Sequence, residues 1–198
     1  MVVLILLLVA FSFGSGFDKL KEILENTKTL KVVFVQKVIY DWYPKPDISK
    51  GILYVKKGER IRLDYTYPER ITIISDGKKV YLIHYEEQKV YVEDMRRNTS
   101  PVINSLLFLS EPIEKVFTFV GKEENDEEII ILRPKKKDEN LRLVKVYLRK
   151  GEIKRIKTYS EEGKEVIIEF IKVKRNFRPS EELFKIEFPD GFRVFRYE

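Results

Sequence analysis

The residue types that could carry out chemistry are few in this sequence. Ser75, Asp76 and His84 come nearest to a Ser-His-Asp hydrolase, and His84 is the only histidine in the 198 residues. A serine hydrolase of the α/β type also needs a Gly-x-Ser-x-Gly turn that exposes its nucleophile, and the sequence contains none. Ser75-Asp76-Gly77 has instead the composition of a tight turn between two strands. We therefore predict a hairpin turn at this position and no enzymatic activity.

Metal and cofactor chemistry is equally restricted. The absence of cysteine excludes disulfides, thiolate metal sites and lipidation of an N-terminal cysteine. A single histidine cannot form a His-based metal cluster within one chain, and no Gly-rich phosphate-binding loop occurs. We therefore expect no metal and no cofactor. A pair of glycosidase carboxylates stays open as an alternative, because 32 Asp and Glu residues are present.

The charged residues indicate a solvated surface rather than a nucleic-acid site. The 38 Lys and Arg and the 32 Asp and Glu give a net charge of +6, and the two signs are interspersed. The run Lys135–Lys137 is followed by Asp138 and Glu139, which favours a solvated loop. Aromatic residues, 13% of the chain, could stack on a single strand of nucleic acid or fill the inside of a curved sheet. We favour the sheet and expect no nucleic-acid partner.

The amino terminus has the pattern of an export signal, since the first charged residue is Asp18. Residues 2–13 are nearly all apolar, which suits a signal-peptide core and falls short of a membrane span of about 20 residues. Small residues at 14–16 fit a cleavage site. We predict a signal peptide at 1–16 and a single exported domain at 17–198, with a buried first strand or a retained anchor as alternatives. The Lys- and Glu-rich, cysteine-free composition resembles that of thermophile proteins.

The rest of the sequence has the pattern of a β protein. The cleanest alternation places Ile61, Leu63 and Tyr65 on one buried face of a strand. About 10–11 such strands with few helices predict one antiparallel sheet that must curl or close. We predict a loop over Tyr40–Asp47, because it contains two prolines, and a last strand over Leu183–Phe188.

Two segments have helical periodicity instead. Residues 17–27 predict a short amphipathic helix, and residues 100–117 predict a second helical region with Ser100 as its cap and Pro101 at its first position. The second region is apolar and lies between two meanders, so we expect it to cover the open mouth of the curled sheet. The space beneath would hold lipid or an apolar side chain, or it would be packed as a dry core, and the pattern alone leaves both possibilities open.

Four segments occur in an order and spacing that are specific when they are taken together. They are residues 29–37 (TLKVVFVQK), 51–57 (GILYVKK), 62–68 (RLDYTYP) and 74–81 (ISDGKKVY). They resemble the LolA family, periplasmic carriers that ferry lipoproteins to the outer membrane. The resemblance is closest over residues 18–110 and looser afterwards, where a turn at Gly163 and the ending Phe184-x-x-x-Phe188-Pro189-x-Gly191 have the style of the family.

The resemblance implies a mainly β, α+β fold, in which an unclosed antiparallel barrel holds an apolar cavity. Short helices at approximately 17–27 and 100–117 would form a lid over this cavity, and the acyl chains of a lipoprotein would lie beneath it. The implied cavity residues are Leu30, Val32, Phe34, Ile61, Leu63, Tyr65, Ile73 and Leu82. The implied lid residues are Val102, Ile103, Leu106 and Leu107.

One departure from the family concerns how the lid is held shut. Family members usually have Arg-Pro after the second strand, and the Arg donates to backbone carbonyls of the lid. This sequence has Lys57 and Gly58 there, and a lysine offers a point charge rather than a planar fork of donors. We predict that Lys57 or Arg60 latches the lid, in an equilibrium between a closed empty state and an open loaded state.

The resemblance also implies partners and a location. Acylated lipoproteins would be the cargo of a monomeric periplasmic carrier. An inner-membrane lipoprotein-releasing ABC transporter would load it, and an outer-membrane acceptor, either a protein or the membrane itself, would receive the cargo. Two alternatives stay open: a related periplasmic lipid or lipoprotein sensor that binds without carrying, and a structural or protein-binding β domain with a filled core.

Overall fold

The computed structural model describes residues 16–58, 60–94, 102–124, 126–137 and 140–197. The predicted signal peptide therefore lies outside the described residues except for Gly16, which begins the first helix. The predicted helix start at Ser100 and Pro101 also lies outside them. Among the helices of the described ranges, none is both long and apolar enough to span a membrane.

Twelve strands form one sheet in the part of the chain that the structure describes. They are β1 (Thr29–Tyr40), β2 (Tyr43–Lys56), β3 (Arg60–Tyr67), β4 (Ile71–Ser75), β5 (Lys79–His84), β6 (Lys89–Asp94), β7 (Phe117–Glu124), β8 (Glu128–Pro134), β9 (Leu143–Arg149), β10 (Glu152–Tyr159), β11 (Lys164–Arg175) and β12 (Arg193–Arg196). Their spatial order is β12-β6-β5-β4-β3-β2-β1-β11-β10-β9-β8-β7.

The sheet is unclosed, as predicted. Its edges are β7 and β12, which are not neighbours in the strand order. Every neighbouring pair is antiparallel except β12 and β6, which run parallel. This parallel pair, and the twelfth strand itself, depart from the prediction of about 10–11 antiparallel strands.

The segment predicted as the loop Tyr40–Asp47 is instead mostly strand. β1 and β2 form a long hairpin in which Tyr40 lies opposite Tyr43. Two prolines are tolerated there because, among the described strands, this half of β2 pairs with β1 alone. The pairing of β2 with β3 ends at Lys50 and Tyr67. Proline cannot donate to a ladder, and it is accepted on a strand with one free side.

The predicted last strand, Leu183–Phe188, is wrong. The chain forms a 3₁₀ helix at Glu181–Phe184 and then runs without strand pairing to Asp190. Ile186 and Phe188 pack against a second, smaller core on the outer face of β4–β6. Their two-residue spacing therefore arises because an extended segment packs one side against the sheet. The segment is not itself a strand of the sheet.

The helical segments lie where the sequence places them. They are α1 (Gly16–Glu25), a π-helix (Ile103–Leu107) and α2 (Ile113–Val116). Leu20 and Leu24 of α1 are buried in the main core together with Leu106 and Ile113 of the later segment. α1 and the π-helix/α2 segment therefore cover the same inner face of the sheet.

The main core lies between this inner face and the helices. Residues directly opposite each other in neighbouring strands share one face, so Val32, Leu53 and Leu63 all point inward. The inner residues of β8–β10, such as Ile130, Val146 and Ile156, belong to the same core. The curled sheet thus brings its two halves together beneath the helices.

Candidate functional site

The inner face of the sheet does not meet the helices everywhere, and a cavity of about 360 Å³ lies between them. Its strand wall is apolar and includes Val32, Phe34, Leu63, Val166, Ile168 and Phe170. The segment at residues 102–108 provides the opposite wall through Val102, Leu107 and Phe108. The walls and volume suit an apolar ligand, since ligand pockets typically measure about 300–1,000 Å³.

Gly51 shapes the floor of this cavity. It lies opposite Phe34 on β1 and Tyr65 on β3. A Cβ atom on Gly51 would lie 2.9 Å from the Phe34 ring and 2.5 Å from the backbone oxygen of Asp64. The missing side chain therefore leaves room for the Phe34 ring beside Gly51. The centres of the Phe34 and Tyr65 rings lie 5.7 Å apart, and the two rings are nearly perpendicular.

One end of the cavity is polar. Gln36, Asn140, Thr158 and Lys164 contribute to the lining there. The hydroxyl of Tyr65 lies 3.4 Å from the side-chain oxygen of Gln36, to which it donates. Burial raises the pKa of Tyr65 above its ordinary value of 10.0, so the phenol stays neutral over a wide range. The cavity is therefore an apolar space with polar groups, including the charged Lys164, at one end.

Four of the eight predicted cavity residues line this space: Val32, Phe34, Leu63 and Tyr65. Leu30 and Ile61 are buried in the core, and Leu30 borders a separate small gap beneath α1. Ile73 and Leu82 lie opposite each other on the same sheet face as Leu63, but outside the cavity lining. Sequence reasoning missed Val166, Ile168 and Phe170 of β11, although their alternation along the strand was a signal that could have found them. It also missed Phe108.

The predicted lid residues divide in a similar way. Val102 and Leu107 line the cavity, whereas Leu106 is buried in the core and faces the gap beneath α1. The backbone of Ile103 belongs to the π-helix, and its side chain lies outside the described residues. A π-helix places its residues at an unusual spacing and is frequent at functional sites. Leu106 and Leu107, successive residues of this helix, face two different apolar spaces.

Lys57 holds the end of α1. Its Nζ donates to the carbonyl oxygens of Leu24 at 2.9 Å and Glu25 at 3.1 Å. The last carbonyls of a helix have no partner within the helix, and a cation there also complements the helix dipole. Lys57 can therefore satisfy these carbonyls despite lacking the fork of an arginine.

Arg60 has a different position. Its guanidinium donates to Glu181 at 2.7 Å, and Lys56 lies 3.5 Å from the same carboxylate. Glu181 belongs to the 3₁₀ helix, which contacts β3 from the outer face. The described contacts of Arg60 therefore do not reach the helices over the cavity.

α1 and α2 are also joined to each other and to the sheet by charged groups. Lys21 of α1 lies 3.5 Å from Glu114 of α2. Lys135, the first residue of the Lys135–Lys137 run, donates from Nζ to the carbonyl oxygen of Glu114 at 2.6 Å. At least this lysine therefore supports a helix end in addition to being solvated.

The residues that suggested a hydrolase form a turn, as predicted. The Ser75 hydroxyl donates to the carbonyl oxygen of Lys79 at 2.8 Å, and Asp76 accepts from the backbone N–H groups of Lys78 and Lys79. Partial burial raises the pKa of Asp76, but the backbone N–H groups of Lys79, Lys78 and Asp76 itself, together with the charge of Lys78, lower this pKa below its ordinary value. His84 packs edge-on against Tyr91 at 6.0 Å. Within the described ranges, no group of three or more His, Asp or Glu residues could hold a metal ion.

Comparison with known proteins agrees with this geometry. The family described as "Outer membrane lipoprotein carrier protein LolA" matches residues 25–187. The outer-membrane lipoprotein carrier protein of Dechloromonas aromatica is 26% identical over 189 residues, covering 95% of this chain and 91% of that protein. The protein of the same name from Nitrosospira multiformis is 25% identical over 194 residues, covering 96% and 92%.

Two solved structures have a similar fold. An uncharacterized conserved protein from Thermus thermophilus superimposes with a TM-score of 0.57 at 12% identity, over 91% of this chain and 96% of that chain. A LolA superfamily protein from Nitrosomonas europaea superimposes with a TM-score of 0.52 at 12% identity, over 85% and 95%. Because the family match spans most of the sequence, the chain belongs to the LolA family of outer membrane lipoprotein carrier proteins.

Proposed function

We propose that this protein is a periplasmic carrier that binds the acyl chains of lipoproteins and shuttles them from the inner to the outer membrane. The observation that carries this proposal is the apolar cavity between the inner face of the sheet and the segment at residues 102–108. This segment, with α1 and α2, is called the lid below. A site that binds acyl chains without changing them needs no catalytic group, which agrees with the family's binding role.

The closed cavity is too small for a whole lipid anchor, so loading must open the lid. At about 360 Å³ it lies near the lower end of ligand pockets. Opening would expose Val102 and Phe108, which are buried in the closed state. It would also separate α1 from the end of β2 and break the two hydrogen bonds of Lys57.

The free-energy cost of opening the lid would make cargo binding reversible. Burying acyl chains contributes about 0.8 kcal/mol per CH₂ group, so three C16-like chains would contribute roughly 35 kcal/mol. Non-covalent complexes do not show net affinities beyond about 21 kcal/mol. A carrier must offset part of the gain if it is to release its cargo, and lid opening with exposure of apolar surface provides such an offset.

The latch in this account is Lys57. Its two donated hydrogen bonds stabilise the closed state only, because they require the end of α1 to lie over the end of β2. The protein is then closed when empty and open when loaded. Arg60, whose guanidinium pairs with Glu181 on the outer face, has no part in this latch.

The partners follow from the carrier role. An inner-membrane lipoprotein-releasing ABC transporter would load the cavity, and an outer-membrane protein or the membrane itself would accept the cargo. The carrier would act as a monomer, because one chain supplies both the cavity and the lid.

A transfer assay tests the proposal. Donor vesicles containing a fluorescent triacylated lipopeptide are mixed with unlabelled acceptor vesicles in the absence of detergent. The mixture is compared with and without the protein. The carrier proposal expects the protein to speed transfer in proportion to its concentration. Binding of the lipopeptide without any transfer would instead indicate a sensor, and the absence of binding would indicate a structural domain with a filled core.

A further inference from the structure

The tip of the β1–β2 hairpin carries an exposed aromatic cluster that the cavity does not use. We call Tyr40, Trp42 and Tyr43 the aromatic tip. The Trp42 side chain is 68% exposed and that of Tyr43 is 50% exposed. The rings of Tyr40 and Trp42 lie 5.1 Å apart. Large aromatic side chains grouped in this way at the end of a hairpin indicate a contact surface.

The aromatic tip lies beside the polar end of the cavity. Tyr40 is paired with Lys164, the first residue of β11. Lys164 contributes to the lining of the cavity, and its Nζ lies 5.9 Å from the centre of the Tyr40 ring. Tyr40 also follows Gln36 and Val38, two cavity residues of the same strand, at two-residue spacing on the same face. The tip therefore continues the inner face of the sheet past the mouth of the cavity.

The composition of the tip disfavours addition of a partner strand. Pro44 and Pro46 occupy the half of β2 that pairs with β1 alone among the described strands. Both prolines lack an N–H group, so a strand arriving at this edge would find donors missing at alternate positions. Lys45 between them is exposed, and charged residues at a sheet edge also resist pairing.

The chemistry of the tip suits a lipid bilayer surface. Trp and Tyr are enriched at the membrane–water interface, because each ring is apolar and also carries a polar group that stays hydrated. The neighbouring charges are mixed: Lys45 and Lys164 are accompanied by Asp41 and Asp47. These opposite charges leave little net charge at the tip to attract it to a charged membrane. Insertion of the aromatic rings is therefore the favoured mode of binding.

We propose that the aromatic tip docks the protein on the interfacial region of a lipid bilayer, so that the cavity mouth faces the membrane while acyl chains move in or out. This inference rests on the proposed carrier function. It adds a direct contact between the carrier and the lipid surface, which brings the donor or acceptor bilayer next to Lys164 and the cavity.

Trp42 supplies the measurement, because it is the only tryptophan in the chain. Its emission is recorded while the full protein is titrated with phosphatidylcholine vesicles, and then with vesicles containing phosphatidylglycerol. We expect a blue shift with both compositions, and quenching when the lipids carry bromine near the headgroup end of their chains. A shift that appears only with anionic lipid and disappears in salt would overturn the proposal, since it would indicate adsorption by charge.

Variants identify the tip as the contact. Trp42→Ala and Tyr43→Ser should each weaken co-sedimentation with vesicles about tenfold, the effect of removing one large buried apolar side chain. Ile171→Ser is the matched control, because Ile171 is 55% exposed but lies about 20 Å further along β11 from Lys164. Equal binding by wild type and Trp42→Ala, or equal loss in Ile171→Ser, would overturn the proposal.

The carrier function and the docking proposal can fail separately. Uptake of a fluorescent fatty acid from solution tests the cavity without any membrane, and both tip variants should retain it. If uptake is normal but Trp42 emission does not change when vesicles are added, the docking proposal alone is wrong. If Trp42 inserts but the fatty acid is not taken up, the docking surface is supported and the carrier function is wrong. A Trp42 shift seen only with an added protein, and never with vesicles, would assign the tip to a protein partner and overturn docking to lipid.

Discussion

The Nζ of Lys57 lies 2.9 Å from the carbonyl oxygen of Leu24, which joins the end of β2 to the end of α1. A second bond of 3.1 Å reaches the carbonyl oxygen of Glu25. A cation that donates to the unpaired carbonyls of a helix end stabilises that end and fixes its position. In the proposed function, this contact belongs to the closed arrangement of the lid.

We predict that Lys57→Leu shifts the lid toward its open state. The lost hydrogen bonds come from a half-buried, solvent-screened lysine, so the closed state should lose roughly 1 kcal/mol, equivalent to about a fivefold change in equilibrium. Because cargo binds the open state and Lys57 stabilises the closed one, a fluorescent acyl probe should bind about fivefold more tightly, through faster association. Equilibrium titration and stopped-flow association of the probe measure this effect.

Two variants control this experiment. Lys57→Arg keeps a cationic donor and should behave like the wild type. Arg60→Leu removes the pair with Glu181 on the outer face and should leave probe affinity unchanged. The latch assignment is wrong if Lys57→Leu binds the probe with wild-type affinity, or if Arg60→Leu tightens binding as much as Lys57→Leu does.

We predict that Leu63→Glu abolishes uptake of acyl chains. Leu63 is half-buried and lines the cavity, so a glutamate there would put a charge in the apolar space, which is strongly unfavourable without a partner. Ile171→Glu introduces the same charge at an exposed position of β11 and should bind the probe normally. Circular dichroism shows whether both variants are folded, and normal uptake by folded Leu63→Glu would contradict the cavity assignment.

We predict that Gly51→Ala reduces both stability and cavity volume. The added Cβ would lie 2.5 Å from the Asp64 oxygen and 2.9 Å from the Phe34 ring. Relieving this overlap should lower the free energy of unfolding by about 1–3 kcal/mol and displace Phe34 into the cavity. Urea unfolding and probe binding measure the two effects.

Gly121→Ala is the matched control for that substitution. At Gly121 the nearest atom to an added Cβ is the Ile131 side chain at 3.9 Å, an ordinary contact. Its stability and probe binding should equal those of the wild type. Identical unfolding curves for Gly51→Ala and Gly121→Ala would show that Gly51 does not shape the floor.

We predict a loss of stability above about pH 10 that depends on Tyr65. Burial raises the pKa of Tyr65 above 10.0 in the folded protein, so as the pH rises the unfolded chain releases this proton first. The stability from the neutral buried phenol is therefore complete below the unfolded pKa and is lost as the pH rises through the folded pKa. Urea unfolding at pH 9 and 11 should show a smaller alkaline loss for Tyr65→Phe than for the wild type.

Tyr67→Phe, on the same strand, is the control for Tyr65→Phe. The Tyr67 side chain is 52% exposed, and its replacement should leave the pH dependence of unfolding as in the wild type. An alkaline loss that is the same in Tyr65→Phe and the wild type would show that burial of Tyr65 does not contribute to it.

The elements that could be predicted from the sequence are those set by local patterns. Alternation placed Leu63 and Tyr65 on the inner face of β3, and a turn composition at Ser75–Gly77 placed the β4–β5 hairpin. The position of the apolar segment after residue 101 could also be predicted, because a long apolar run between two meanders must be buried against the sheet.

The elements that were missed depend on contacts distant in sequence. The two prolines favour a loop at the start of β2. A strand tolerates them there because, among the described strands, this half of β2 pairs with β1 alone. Phe188 looked like part of a strand because alternation cannot distinguish a sheet from a chain packed on a sheet. The contribution of Phe170 to the cavity depends on β11 pairing with β1, a pairing across more than half the chain.

The proposed function requires acyl chains to lie between the inner face of the sheet and the lid. A triacylated lipopeptide with a photoreactive diazirine in one acyl chain tests this position, with mass spectrometry of the cross-linked peptides. We expect labelling of peptides that contain Phe34, Leu63, Phe170 or Leu107, and competition by an unlabelled fatty acid. Labelling confined to the outer core around Ile186 and Phe188, or equal labelling of a Leu63→Glu variant, would contradict the account.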